Sequence, residues 1–206
     1  MDPSHELREL ADRLRSAADR INTRETPAPG ITQALGLARE LEAALEGPPR
    51  PLWYDSGTIE PRSDRARTHY DAFGPFGGAV NPVAPPMSIQ LPDDPNGRVV
   101  ARVRLSRSYE GPPHGVHGGV VAGLFDDLLG NVQALAPPVG MTGKLEVTYR
   151  RVTPIERDLV FEGWVEQNRH RAIVARATCS ADGELTAEAM ALFIRVDFDE
   201  VANRTR

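Results

Sequence analysis

The chain has 206 residues, 40% of them hydrophobic and 26% charged, with a formal net charge of −5. That is enough for one ordinary domain, an appendage and a real core, and the acidic balance argues against a nucleic-acid partner, which needs a basic stripe. The single cysteine, Cys179, excludes an intramolecular disulfide and lies in an apolar, strand-like stretch suited to a buried, inert thiol. No apolar run approaches the roughly 20 residues of a membrane span, and the first residues lack the layout of a signal peptide. No membrane association is expected, and a cytoplasmic location is.

In chain order, Leu7, Leu10, Ala11, Leu14, Ala17, Ala18 and Ile21 recur at three- and four-residue steps, the stripe of an amphipathic helix with Ser4 as N-cap. Pro27, Pro29 and Gly30 break it. A second stripe, Ala34, Leu37, Ala38, Leu41, Ala44 and Leu45, ends at Gly47-Pro48-Pro49. Residues 1–48 thus read as a helical hairpin extension whose stripes pack on the main domain or on a partner subunit. Residues 49–86 are rich in Pro, Gly and Arg without a sustained period, a long connecting segment anchored by Trp53, Tyr54, Phe73 and Phe76. Arg62, Arg65 and Arg67 form either a basic rim there or a polar stretch.

The main domain is expected over residues 87–198, with a polar tail at 199–206. Ala101, Val103 and Leu105 share one face of a strand, and Arg102 and Arg104 the other. A long apolar helix follows from about Gly118 to Leu135. Four more strands are predicted at 144–150, 159–166, 172–179 and 185–196, with Asp182-Gly183 as a hairpin turn. Strands, one long helix, then a run of antiparallel strands define an α+β domain: one sheet wrapped round one buried helix.

At 100° per residue, Val121, Leu124, Phe125, Leu128, Val132 and Leu135 form the face that packs on the sheet. Ala122, Gly123, Asp126 and Gly130 fall on the other side with Gln133 beside them. Two glycines inside a helix each cost up to about 1 kcal/mol against alanine, which suggests close approach by a second body, naturally a second subunit. Asp127 points elsewhere, as a solvated or structural acid. The glycine-rich stretch before the helix, through His114-Gly115-Val116-His117-Gly118-Gly119, offers free N–H groups and the positive dipole end to an anion or a developing oxyanion. His114 and His117 are too isolated to suggest a metal site, and a Ser/His/Asp triad lacks its nucleophile elbow. His170 falls in a turn between strands, and Trp164 alternates with Glu162 and Glu166 on a surface or interface.

Glu110-Gly111-Pro112-Pro113, His117-Gly118-Gly119, Asp126 nine residues after that histidine and Gly130 four beyond it resemble the hotdog-fold thioesterases of the PaaI-like group. Met141-Thr142-Gly143-Lys144-Leu145, Tyr149 to Pro154, and Asn81 to Pro86 upstream continue the likeness over roughly residues 70–198. The resemblance implies the hotdog fold, a curved antiparallel sheet wrapped around one long central helix, with active sites at a dimer interface. It also implies hydrolysis of an acyl-CoA thioester to free acid and coenzyme A.

Carried over, the Gly118 N–H polarises the thioester carbonyl, Asp126 of the other subunit acts as general base or nucleophile, and Thr142 places the water or the carboxylate. His117 fixes the loop and bonds near the thioester. Gly119 and Gly111 lie where the backbone meets substrate, although many members of the group carry Asn at the position of Gly111. Lys144, Arg150 and Arg151 are candidates for the coenzyme A phosphates. No cofactor is implied beyond the coenzyme A of the substrate, and the assembly is a homodimer or a dimer of dimers. The competing functions are a non-catalytic acyl-CoA-binding or regulatory hotdog protein and, behind it, a hotdog hydratase or dehydratase.

Overall fold

The computed structural model describes residues 3–50, 64–85, 87–198, 200 and 201. Its helices are α1 (Pro3–Thr23), α2 (Ala28–Ala44), α3 (Asp64–Phe73) and α4 (Gly118–Val132). Its strands are β1 (Ser88–Gln90), β2 (Val99–Arg104), β3 (Gly140–Tyr149), β4 (Asp158–Asn168), β5 (Ala172–Ala181) and β6 (Glu184–Arg195). The six strands form one antiparallel sheet in the order β1-β2-β4-β5-β6-β3, curved around α4. This is the hotdog arrangement.

Alternation fixes which strand face is inward. Ala101, Val103 and Leu105 are buried while Arg102 and Arg104 are exposed. β5 and β6 contribute mostly alanine to the core (Ala175, Ala177, Ala187, Ala189 and Ala191), so the bulky face of α4 can lie close against them. That face is Val121, Leu124, Phe125, Leu128, Leu129 and Val132, all at most 1% exposed, with Phe125 edge-on to Phe161 at 5.1 Å between ring centres. Burying such a set is the main stabilising term, at roughly 1.5–3 kcal/mol per large side chain. Asp182 and Gly183 both adopt positive φ, 51° and 80°, so the β5–β6 hairpin closes on the turn that Asp-Gly favours.

Of the two N-terminal helices, only α1 packs on the main domain of its own chain. α1 docks: Arg15 donates to the carbonyls of Asn81 (2.6 Å) and Ala79 (3.3 Å), and Ser108 donates to Asp19 at 2.9 Å. α2 has no buried residue, and Ile31, Leu35 and Leu37 are more than half exposed. Within the connecting segment the aperiodic composition hid α3, which is ten residues long. Trp53, Tyr54 and Arg62 lie outside the described residues, as do the side chains of Arg65 and Arg67, while Phe73 and Phe76 are partly buried.

Candidate active site

The start of α4 is shaped by backbone geometry before any side chain acts. His117 is the N-cap, its Nδ1 accepting from the Gly119 N–H at 3.0 Å, while its own N–H donates to the Tyr109 carbonyl at 2.8 Å. The Gly119 amide is therefore engaged. The Gly118 N–H has no acceptor among the described residues, which leaves it as the donor at the positive end of the helix. The preceding loop is equally fixed. Glu110 accepts from the His114 N–H at 2.7 Å, which holds the Glu110 carboxyl below its ordinary pKa and His114 at φ 60°. A Cβ on Gly111 would lie 2.7 Å from His117 Cα, so any side chain at 111 would push the cap aside.

Tyr149 belongs to this cluster and was not singled out from sequence. Its hydroxyl donates to the Gly118 carbonyl at 2.7 Å, tying the end of β3 to the first turn of α4. Strand alternation could have placed it on the inner edge of β3, but not against a helix start thirty-one residues away.

Two turns along the helix, Asp126 is exposed, and Thr142 Oγ1 donates to its Oδ1 at 3.2 Å. The pair is held from behind by Gln133, a buried amide that both donates to and accepts from the Gly140 backbone (3.1 and 2.9 Å) and so pins the end of α4 to the start of β3. Among the described residues, β3 is an edge strand and Gly130 has nothing within 4 Å of where a side chain would begin, so they leave the flank of α4 carrying Asp126 open.

Of the two readings left open for Asp127, a solvated or a structural acid, the structure excludes the solvated one. It is the largely buried member of the pair. A Cβ on Gly77 would lie 2.7 Å from its Oδ2, and burial, then Asp126, then Asp71 push its carboxyl from 3.8 up to about 6. Helical projection gives a direction, not what a distant loop brings to it. Here residues 74–81 cover that side.

The basic candidates sit on or just after β3 in exposed ion pairs: Lys144 with Glu146 (2.8 Å), Arg150 with Glu188 and Arg151 with Glu184. Each would exchange a carboxylate for a phosphate at small cost, since exposed pairs contribute at most about 1 kcal/mol. Cys179 is buried and its thiol is pushed up to about 11 by burial. His170 is exposed in the β4–β5 turn, and Trp164 is covered by the Arg98 guanidinium at 4.3 Å. Among the described residues no group of three His, Cys, Asp or Glu could hold a metal ion, and no helix is long and apolar enough to cross a membrane.

A six-stranded antiparallel sheet around one helix, with an open helix-end amide and a threonine-bonded aspartate further along, has the fold of the thioesterase superfamily. A solved protein of that superfamily matches 91% of this chain and 94% of its own with a TM-score of 0.73 and 27% identity, so the likeness takes in more than the sheet and its helix. In sequence the chain resembles acyl-coenzyme A thioesterase THEM4 of Mus musculus, with 32% identity over 102 residues, or 48% of this chain and 44% of that protein. The match thus spans less than half of the curated relative. No family model matches the sequence.

Proposed function

We propose that the protein hydrolyses acyl-CoA thioesters at sites shared between the subunits of a homodimer. The observation that carries this is the Asp126–Thr142 pair, exposed on the open flank of α4 beside the bare edge strand β3. Thr142 occupies one carboxylate oxygen and leaves the other to take a proton from water, the work of a general base. Water attacks the thioester carbonyl, and negative charge develops on the carbonyl oxygen. The Gly118 N–H, at the positive helix end, is the donor poised for that charge. The carbon–sulfur bond then breaks and coenzyme A leaves as the thiolate.

His117 contributes a donor rather than a base. With Nδ1 accepting from Gly119, the neutral ring carries its proton on Nε2, which is free to donate toward the substrate. Gly111 and Gly119 keep the loop low enough for the substrate to reach this cap. Lys144, Arg150 and Arg151 are proposed to receive the coenzyme A phosphates.

Gly118 and Asp126 lie eight residues apart on one helix, about 12 Å along its axis, too far to flank one carbonyl. A second copy pairing along β3 brings one subunit's amide to the other's carboxylate and satisfies ten residues of otherwise bare strand edge. The test is free-thiol release from a panel of short, medium, long and aryl acyl-CoAs. Turnover by the wild type is expected. Tight binding without turnover across the whole panel would overturn hydrolysis in favour of a binding protein.

A further inference from the structure

We infer that Phe76 is the end wall of the acyl pocket and restricts the substrate to short or flat aryl acyl groups; this rests on the thioesterase reading above. The Phe76 ring lies directly on Gly123: a Cβ there would stand 2.2 Å from its Cζ and 2.3 Å from its Cε1. Gly123 precedes Asp126 by three residues, so the two share a helix face and are about 4.5 Å apart along the axis. Four residues beyond Asp126, no described residue comes within 4 Å of where a side chain on Gly130 would begin.

A thioester carbon within attack distance of Asp126 has two arms to accommodate. The pantetheine arm is long and identical in every acyl-CoA, so it needs the open run past Gly130. The acyl arm is then left facing Phe76. Phe76 stands about one helical turn from Asp126 along the axis, so an acyl arm running that way meets the ring after a short chain or stacks on it as a flat aryl group.

The wall is built to stay in place. Its loop is closed by the Ala79 and Val80 N–H groups donating to the carbonyls of Asp71 and Ala72 (both 2.9 Å), and by Asn81 Nδ2 donating to those of Phe73 and Gly74 (both 3.2 Å). Arg15 of α1, its side chain 13% exposed, clamps the loop from outside through the Ala79 and Asn81 carbonyls. This gives the N-terminal helix a role: Arg15 is a positioning residue for the wall.

The test is a binding series with non-hydrolysable thioether analogues of acetyl-, butanoyl-, octanoyl- and dodecanoyl-CoA, beside turnover of the matching thioesters. Wild type should favour the short members. Phe76→Ala should raise affinity and kcat/KM for the octanoyl compound by about tenfold or more relative to acetyl, the scale set by apolar pocket contacts. Phe76→Leu, which keeps the loop packed, should move the optimum the same way by a smaller step. Gly123→Ala, which forces the ring off the helix, should lower binding of the short members. A length profile in Phe76→Leu and Phe76→Ala identical to wild type would overturn the wall. Absence of turnover in every protein would sink the hydrolase reading instead, while the analogue series still decides whether Phe76 ends the pocket.

Discussion

The two flanks of α4 carry adjacent carboxylates in opposite circumstances. On one side the 74–81 loop, clamped by α1, covers Asp127, and its Phe76 reaches Gly123 where the two flanks meet; on the other Asp126, Gly130 and β3 face outward. Burial and reactivity are therefore separable in this helix. The acid whose pKa is most displaced is held under a structural loop, while the acid bonded to Thr142 is the one a substrate can reach. A strongly shifted carboxyl often marks a catalytic group, but accessibility to a reacting atom decides first.

The largest expected effect tests the open flank. Asp126→Asn should lower kcat by about a hundredfold or more, the span usual for loss of a general base, with an unchanged circular dichroism spectrum and melting curve. Equal loss in Asp127→Asn would erase the distinction between the flanks.

Asp127→Asn is expected to act on stability. The folded chain keeps the Asp127 proton up to about pH 6 against an ordinary 3.8. Between those values the folded state binds more protons than the unfolded, so this group's contribution to stability falls as pH rises through the window and stays low above it. The shift corresponds to about 2–3 kcal/mol. Denaturant unfolding from pH 4 to 8 should show that slope in wild type and lose it in Asp127→Asn, which should be the more stable protein at pH 8.

Arg15→Ala should loosen the covered flank by about 1–2 kcal/mol, because two carbonyls lose a charged donor. Thermal melts report the loss, and faster hydrogen exchange at Ala79 and Val80 would locate it. The smallest effect belongs to Gly130→Ala. In a lone chain the added methyl meets none of the described residues within 4 Å and the helix gains up to about 1 kcal/mol. With the pantetheine arm passing over Gly130, the same methyl should raise KM several-fold in the thiol-release assay. Unchanged KM would place the pantetheine arm elsewhere.

Much of this was legible in residue order. The period of α4 separated Leu124, Phe125 and Leu128 from Gly123, Asp126 and Gly130; five of the six strands could be read, three-residue β1 being too short to show a period; and Asp182-Gly183 marked the hairpin, because these signals are local and repeat with the geometry of the element. The Asp126–Thr142 juxtaposition was implied only through the family likeness, since sixteen residues and a change of element separate the two. Apolar stripes announced α1 and α2 alike, yet only α1 is docked, and by Arg15 and Asp19 more than by its stripe. Periodicity reports that a face exists, not whether this chain covers it.

Tertiary structure alone decided the rest. Tyr149 reached Gly118, Gln133 pinned the helix end to β3, Gly111 met His117, and a loop from residues 74–81 chose Asp127 over Asp126 for burial. Each is a contact between segments distant in sequence, set by how the sheet curls and where a loop returns. The amino-acid order by itself determined the helix, its two faces and the strands, because those depend on neighbours a few residues away. Which acid is buried and which is free depends on what the folded chain lays across the helix.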